Sequence, residues 1–226
     1  VGLCACCFQS VGVVIVFPKF FCSRIDGLLK YDCNDDHPVH LPLLISLVGL
    51  PGSGKTTVGR QLSRRLSVPF FDSDHVIEQR LGCSIREYFD REGEDSFRDL
   101  EAAVIEELTL GEPCVLSTGG GAVLRAANRT CLRERSHVVY LRSSPEEVFR
   151  RLRHDRNRPL LQVADPLQRL RDLFVQRDPL YRETAHYVIE TGRPSVSFLV
   201  NMIMMQLELA GVVKDALIPG QDTRRT

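Results

Sequence analysis

The chain has 226 residues, with 29 basic and 29 acidic side chains and a formal net charge of zero at pH 7. Because it has neither an excess of positive charge nor a basic tail, its composition argues against a nucleic-acid-binding protein. The organised pattern covers residues 41–213, a length that suits one α/β domain. We expect residues 1–40 to be a leader or disordered extension outside that domain, and residues 214–226 to be a disordered tail.

The leader contains an apolar run, Val11–Phe17, and five of the eight cysteines. This run is short for a membrane span, and it lacks the basic start of a secretory signal and the arginine- and serine-rich composition of a transit peptide. We therefore expect no membrane association. The three cysteines of the domain are dispersed and form no Cys-x-x-Cys pair, which is typical of reduced thiols and predicts a cytoplasmic protein.

A glycine-rich segment follows the first predicted strand, Leu43–Val48, and opens a helix. It reads Gly49-Leu50-Pro51-Gly52-Ser53-Gly54-Lys55-Thr56 and matches the phosphate-binding P-loop. Lys55 is also the only lysine between Leu41 and Ala210. Since glycines tolerate positive φ, their N–H groups can turn towards the phosphates of ATP, and the helix N-terminus points at the same place. We expect Lys55 on the β and γ phosphates and Thr56 on Mg²⁺. Further contacts to ATP are expected from Gly52, Ser53, Gly54 and Thr57.

Beyond the first helix, short strands alternate with helices. The predicted strands are Pro69–Asp72, Cys114–Leu116, His137–Leu141 and Tyr187–Glu190. Three predicted helices run from Asp74 to Gly82, from about Gly93 to Leu108 and from Ser195 to Ala210. Two more begin at Ser84, which forms a capping box with Glu87, and at Ser144-Pro145. Such alternation indicates a mostly parallel sheet covered on both faces, with ligands bound beyond the carboxyl ends of its strands.

Two carboxylates follow the second strand in the sequence Asp72-Ser73-Asp74. In an extended chain they point to the same side. One of them could organise Mg²⁺ through water while the other accepts a proton from a substrate hydroxyl; both could instead cap the helix that follows. Beside a P-loop we favour the first interpretation.

Six pieces of sequence, in the correct order between about Leu43 and Ala210, resemble the shikimate kinase family. They are the P-loop continued to Arg60, Phe71–Asp74, Phe97-Arg98, Gly119–Ala122, Arg158–Leu161 and Arg177–Tyr181. The resemblance implies a three-layer α/β P-loop fold of the nucleoside monophosphate kinase type, with a five-stranded parallel sheet flanked by helices and a mobile lid. It implies Mg²⁺-dependent transfer of the γ-phosphoryl group of ATP to the 3-hydroxyl of shikimate, in the pathway to chorismate and the aromatic amino acids.

The resemblance also assigns roles on the substrate side. Arg98 and Arg177 match the pair that binds the shikimate carboxylate, for which planar guanidinium groups are suited. Asp74 matches the aspartate on the substrate hydroxyl and is the expected base, and Asp72 matches the aspartate near Mg²⁺. Close approach of the chain to the substrate ring is expected at Gly119, Gly120 and Gly121. For Arg98 an ion pair with Glu101 on a solvated helix face is the alternative, although Glu101 could also orient Arg98 towards the substrate.

On the ATP side, we expect a lid over about residues 154–164 that brings Arg158 to the transferred phosphoryl group. Arg151 matches an adenine-stacking arginine of the family, and Arg193 lies where a second adenine contact is usual. The expected catalytic residues are thus Lys55, Asp74 and Arg158.

Other functions share parts of this pattern. Gluconate and nucleoside monophosphate kinases have the same P-loop, and a shikimate-kinase-like module could bind ATP without turnover. A membrane-tethered scaffold would rest on the first 21 residues alone. We expect an enzyme that acts as a monomer on a small molecule and has no nucleic-acid partner.

Overall fold

The computed structural model describes residues 43–153, 165–192 and 195–213. In these ranges five strands form one parallel sheet in the order β2-β3-β1-β4-β5. The strands are β1 (Ile45–Val48), β2 (Phe70–Asp72), β3 (Val115–Ser117), β4 (His137–Arg142) and β5 (Tyr187–Glu190). All five predicted strands are confirmed, with ends that differ by two residues or fewer. The expected leader, lid and tail lie outside the described residues, as do Arg158 and Arg193.

Helices cover both faces of the sheet, so the predicted three-layer arrangement is confirmed. The helices of the described ranges are α1 (Lys55–Leu66), α2 (Ser73–Leu81), α3 (Ile85–Leu110), α4 (Ala126–Arg135), α5 (Pro145–Leu152), α6 (Pro166–Thr184) and α7 (Val196–Leu209). A short 3₁₀ turn, Ala122–Leu124, precedes α4. No helix within these ranges is both long and apolar enough to cross a membrane.

Alternate residues of each central strand point into two separate apolar layers, as expected for a sheet buried on both faces. Val138 and Tyr140 of β4 pack with residues of α4, α5 and α6. Val139 and Leu141 of the same strand pack on the other face with residues of α1 and α7. The sheet is therefore held between two helical layers, and the carboxyl ends of its strands are left for the loops that carry function.

Helix ends follow the predicted capping chemistry. Ser84 and Ser144 each form a capping box with the glutamate three residues later. Gly82 ends α2 with a left-handed φ of 65°. Gly93, at φ 83°, interrupts α3, so the helix expected to begin near that residue is a separate segment of α3.

Two helices, α4 and α6, were not predicted. Only Asn128 and Leu132 are buried in α4, so its apolar stripe is too thin to stand out in the sequence. Helix α6 contains Pro179, and a proline is normally evidence against a continuous helix. Helix α4 packs against α3 and β4, and α6 packs against β4. This tertiary packing stabilises both helices despite their weak local signals.

Close contact between α1 and the sheet depends on Gly59. A methyl group there would lie 2.5 Å from Cε2 of Phe70 and 3.1 Å from Cδ1 of Leu47. Overpacking costs about 1–3 kcal/mol, more than the gain of about 1 kcal/mol for Ala over Gly in a helix. We expect Gly59→Ala to lower the free energy of unfolding measured in urea. Arg64→Ala, on the exposed side of the same helix, should change it by less than about 0.5 kcal/mol. A Gly59→Ala protein as stable as the wild type would show that α1 can shift without cost.

Candidate active site

Three loops meet beyond the carboxyl ends of β1, β2 and β3, as the sequence predicts. They border two adjoining cavities of about 780 Å³ and about 450 Å³. The smaller cavity is lined by the P-loop, Asp72 and Thr118, and we call it the phosphate cavity. The larger, lined by Arg98 and Glu101, we call the acceptor cavity. Asp74 is shared by both cavities and therefore stands at their boundary.

The P-loop has the backbone that phosphate binding requires. Gly49, Gly52 and Gly54 have φ values of 148°, 82° and 98°, which side chains disfavour and which allow successive N–H groups to face one concavity. Helix α1 begins immediately afterwards at Lys55. The Lys55 ammonium donates to the carbonyl oxygens of Gly49 at 2.9 Å and Leu50 at 3.0 Å, which holds the positive charge inside the loop.

The other residues expected at ATP surround the same space. Gly52, Gly54, Thr56 and Thr57 line the phosphate cavity. Ser53 is buried, and its hydroxyl is without a hydrogen-bond partner among the described residues. The contacts of these residues with ATP stay a prediction.

Asp72 caps α2, as one of the two interpretations predicts, and it also contacts Thr56. Its Oδ1 accepts from the backbone N–H of Asp74 at 3.2 Å and caps α2. Its Oδ2 accepts from the Thr56 hydroxyl at 2.8 Å. A hydroxyl and one carboxylate, side by side in a cavity built for phosphates, fit Mg²⁺, which prefers oxygen ligands and keeps several waters beside substrate phosphates. The pair therefore suits the predicted metal site.

Asp74, on the boundary between the two cavities, has a raised pKa. Burial, followed by the negative charge of Asp72, raises its pKa to about 6, while Lys55 acts in the opposite direction. A carboxylate with this pKa is ionised at neutral pH and is a stronger base than an exposed aspartate. These properties suit a general base near pH 7.

Arg98 is held by a buried partner, so the interpretation of a solvated surface ion pair is wrong. Its guanidinium contacts Glu101 at 2.7 Å, and the Glu101 side chain is only 1% exposed. A second contact, at 3.0 Å, joins Arg98 to Glu94. Burial raises the pKa of Glu101, and the charge of Arg98 opposes that shift. A buried carboxylate paired in this way fixes the direction of the guanidinium, which lines the acceptor cavity.

The three glycines after β3 provide space. A Cβ on Gly119 would lie 2.5 Å from Oδ1 of Asp74, and one on Gly121 would lie 2.5 Å from both terminal nitrogens of Arg98. A Cβ on Gly120 would lie 2.6 Å from the ring of Pro51. Only residues without a side chain allow the base, the P-loop and the guanidinium to approach one turn together.

The backbone of this glycine turn is itself anchored by a hydrogen bond inside the protein. The Gly119 N–H donates to the Ser73 hydroxyl at 3.0 Å and is therefore used inside the protein. Sequence analysis missed Ser73, which is fully buried between the two aspartates. Its position inside Asp72-Ser73-Asp74 is the only sequence signal that could have identified it.

Arg177 belongs to the buried face of α6. That face carries Leu170, Leu173, Tyr181 and Thr184 at helical spacing. The Arg177 guanidinium donates through Nη1 to the carbonyl oxygen of Gly120 at 3.0 Å. Its Nε is buried and has no hydrogen-bond partner among the described residues, and Arg177 is not among the residues that line the acceptor cavity, which it adjoins through Gly120. An arginine on the buried face of a helix is unusual, and this pattern in the sequence could have indicated a functional role for Arg177 without the structure.

Arg151 lines the phosphate cavity. Its guanidinium donates to the carbonyl oxygens of Ser53 at 3.3 Å and Gly192 at 3.2 Å, and also to that of Thr191. It thus links the P-loop to the segment that follows β5. A contact with adenine stays a prediction. Arg169 also lines the acceptor cavity and was not identified from the sequence.

The raised pKa of Asp74 predicts a pH-dependent effect on stability. A carboxyl group whose pKa is higher in the folded than in the unfolded protein favours folding at low pH and opposes it as the pH rises through about 6. Without nucleotide or metal, we expect Asp74→Asn to raise the free energy of unfolding in urea by about 1–3 kcal/mol at pH 8, and by less as the pH falls towards 4. A gain that is absent at pH 8, or equal at both pH values, would contradict this environment for Asp74.

Comparison with known proteins places these features in a family context. The sequence matches the shikimate kinase family over residues 51–208. The shikimate kinase of Paracidovorax citrulli is 65% identical over 173 residues, which cover 75% of this chain and 94% of that protein. For the Ralstonia nicotianae shikimate kinase the identity is 58% over 169 residues, covering 75% and 89%.

Solved structures agree with the sequence matches. The shikimate kinase from Acinetobacter baumannii, determined in complex with shikimate, has a TM-score of 0.72 and 48% identity, and the match covers 77% of this chain and 97% of that one. The shikimate kinase from Bacteroides thetaiotaomicron has a TM-score of 0.69 and 33% identity, with coverages of 74% and 98%.

Proposed function

The chain belongs to the shikimate kinase family, and we propose that it transfers the γ-phosphoryl group of ATP to the 3-hydroxyl of shikimate, giving shikimate 3-phosphate and ADP. The observation that carries this function is the position of Asp74, a carboxylate of raised pKa on the boundary between a P-loop cavity and an arginine-lined cavity. A relative that is 48% identical was solved with shikimate bound, which supports the same acceptor here.

On the donor side, the chain supplies positive charge and oriented N–H groups. The P-loop amides and the N-terminus of α1 bind the phosphates, and Lys55 neutralises charge on the β and γ groups. Thr56 would hold Mg²⁺ directly, and Asp72 would hold it through water. When bound, this ion offsets the charge of the phosphate oxygens. Arg158 and Arg193, outside the described residues, complete the ATP site in this proposal, with Arg158 on the transferred phosphoryl group and Arg193 beside the adenine.

On the acceptor side, two guanidinium groups orient the ring acid. Arg98, fixed by Glu101, and Arg177, held against the glycine turn through Gly120, bind the shikimate carboxylate. Asp74 accepts the proton of the 3-hydroxyl as that oxygen attacks phosphorus. Because phosphoryl transfer depends mainly on in-line placement and charge neutralisation, the chain needs no covalent intermediate.

The remaining parts of the proposal concern the whole protein. We take the enzyme to act as a monomer. Cys83, Cys114 and Cys131 are free thiols, as expected in the reducing cytoplasm. A formal net charge of zero supports a small molecule, and no nucleic acid, as the partner.

A coupled assay of ADP release tests the reaction. We expect ATP turnover with shikimate and none above background with gluconate or nucleoside monophosphates. Asp74→Asn should bind ATP normally but lower kcat by about 10²–10⁴-fold, the usual loss when a general base is removed. Release with gluconate alone would favour a gluconate-type kinase, and no release with any acceptor would indicate a module that binds ATP without turnover.

Substitution of Gly121 tests the acceptor geometry separately from folding. An added methyl group meets the end of the flexible Arg98 side chain, which can move aside with little effect on stability but no longer points at the carboxylate. We expect Gly121→Ala to raise the KM for shikimate by about 10-fold or more, in keeping with the loss of a charge-assisted hydrogen bond, and to leave the KM for ATP within about twofold. Gly111→Ala is the matched control, because its Cβ would meet only backbone oxygens at 3.6 Å and 3.8 Å. An unchanged shikimate KM in Gly121→Ala would remove Arg98 from the acceptor site.

A further inference from the structure

The turn of α6 that carries Arg177 is weakly held by its own backbone. Pro179 lies inside this helix. Proline has no N–H, so the carbonyl group of residue 175 lacks its usual partner, and the proline ring crowds the same turn. Because Arg177 and the next residue, Asp178, lie within the interrupted turn, side-chain contacts have to fix its rotation.

Asp178 provides contacts of this kind to the sheet. Its Oδ1 accepts from the Tyr140 hydroxyl at 2.9 Å and from Nε of Arg142 at 3.1 Å, and both donors belong to β4. Its Oδ2 accepts from Nε of Arg182 at 2.7 Å. Tyr140 is fully buried, so its hydroxyl depends on this acceptor. The carboxylate therefore joins the interrupted turn of α6 to the centre of the fold.

A second set of contacts joins the same turn to the glycine turn. The Tyr181 hydroxyl donates to the carbonyl oxygen of Gly120 at 2.6 Å, and Nη1 of Arg177 donates to the same oxygen. The rings of Tyr140 and Tyr181 pack with their centroids 4.9 Å apart. One tyrosine thus fixes α6 to the loop after β3 and the other fixes it to β4, which leaves the helix a single rotation that satisfies both.

We propose that Asp178 is a positioning residue, which binds the Tyr140 hydroxyl, fixes the rotation of α6 and so directs Arg177 at the carboxylate of the acceptor. This inference rests on the proposed function, because it takes Arg177 to be a substrate ligand. Asp178 contacts Tyr140, Arg142 and Arg182 and does not line the phosphate or acceptor cavity, so in this proposal it acts through the helix turn that it shares with Arg177.

Steady-state kinetics of Asp178→Ala test the inference. We expect the KM for shikimate to rise by about 5- to 30-fold, the range of coupling between residues in one network, with kcat within about threefold and the KM for ATP within about twofold. Asp178→Asn keeps an oxygen that can accept from Tyr140 and should restore most of the affinity. Asp172→Ala is the matched control, since it removes an exposed aspartate from the same helix.

A double-mutant cycle with Arg177→Ala separates positioning from a general loss of stability. If Asp178 acts through Arg177, adding Asp178→Ala to the Arg177→Ala protein should change the shikimate KM by less than about twofold. A further rise of fivefold or more would overturn the inference. An unchanged shikimate KM in Asp178→Ala would also overturn it, provided that Arg177→Ala raises that KM.

Failure of the proposed function gives a different result. In that case the unsubstituted protein releases no ADP with shikimate. Turnover with shikimate combined with an unchanged shikimate KM in Arg177→Ala would instead remove Arg177 from the acceptor site and overturn the inference. If Asp178→Ala does not fold, the double variant Tyr140→Phe with Asp178→Ala leaves no buried hydroxyl without an acceptor and carries the same test. In that variant a raised shikimate KM with near-normal kcat supports positioning, and an unchanged KM contradicts it.

Discussion

The glycine turn after β3 is the constraint on which the site depends. Asp74, Pro51 and Arg98 each approach this turn to a distance that a Cβ atom would prevent. Because these groups come from different loops and helices, a side chain at the turn would separate the base, the phosphate loop and the guanidinium at once. Exclusion of volume, more than any one hydrogen bond, thus brings the donor and acceptor halves of the site together.

The site contains buried charged side chains, and burial of charge lowers the stability of the folded protein. Glu101 is almost completely buried beside Arg98, and Asp74 is buried with only partial compensation from Lys55. Burial of these charges has a desolvation cost that their partners offset only in part, and they persist because the two apolar layers around the sheet stabilise the rest of the domain. The groups proposed to bind and activate the substrate are thus the same groups whose burial lowers the free energy of unfolding.

Much of this arrangement could be predicted from the sequence, since local chemistry specifies it. Apolar strand patterns, serine caps and the P-loop depend on neighbouring residues, and all of them are confirmed in the described ranges. Helix α6 and the role of Ser73 depend on contacts between distant parts of the chain, so local pattern could not reveal them. The burial of the Arg98–Glu101 pair was missed for the same reason, because helical spacing shows that the two meet but not what covers them.

The scarcity of lysine in the domain has a chemical consequence. Between Leu41 and Ala210 the single primary amine of a side chain is that of Lys55, which is 8% exposed and hydrogen-bonded to the carbonyl groups of its own loop. A reagent that acylates amines therefore finds one target in this stretch, and it lies at the point where nucleotide phosphates bind. Lys19, Lys30 and Lys214 lie outside this stretch, so in peptides from residues 41–210 the extent of acylation reports nucleotide occupancy at Lys55 alone.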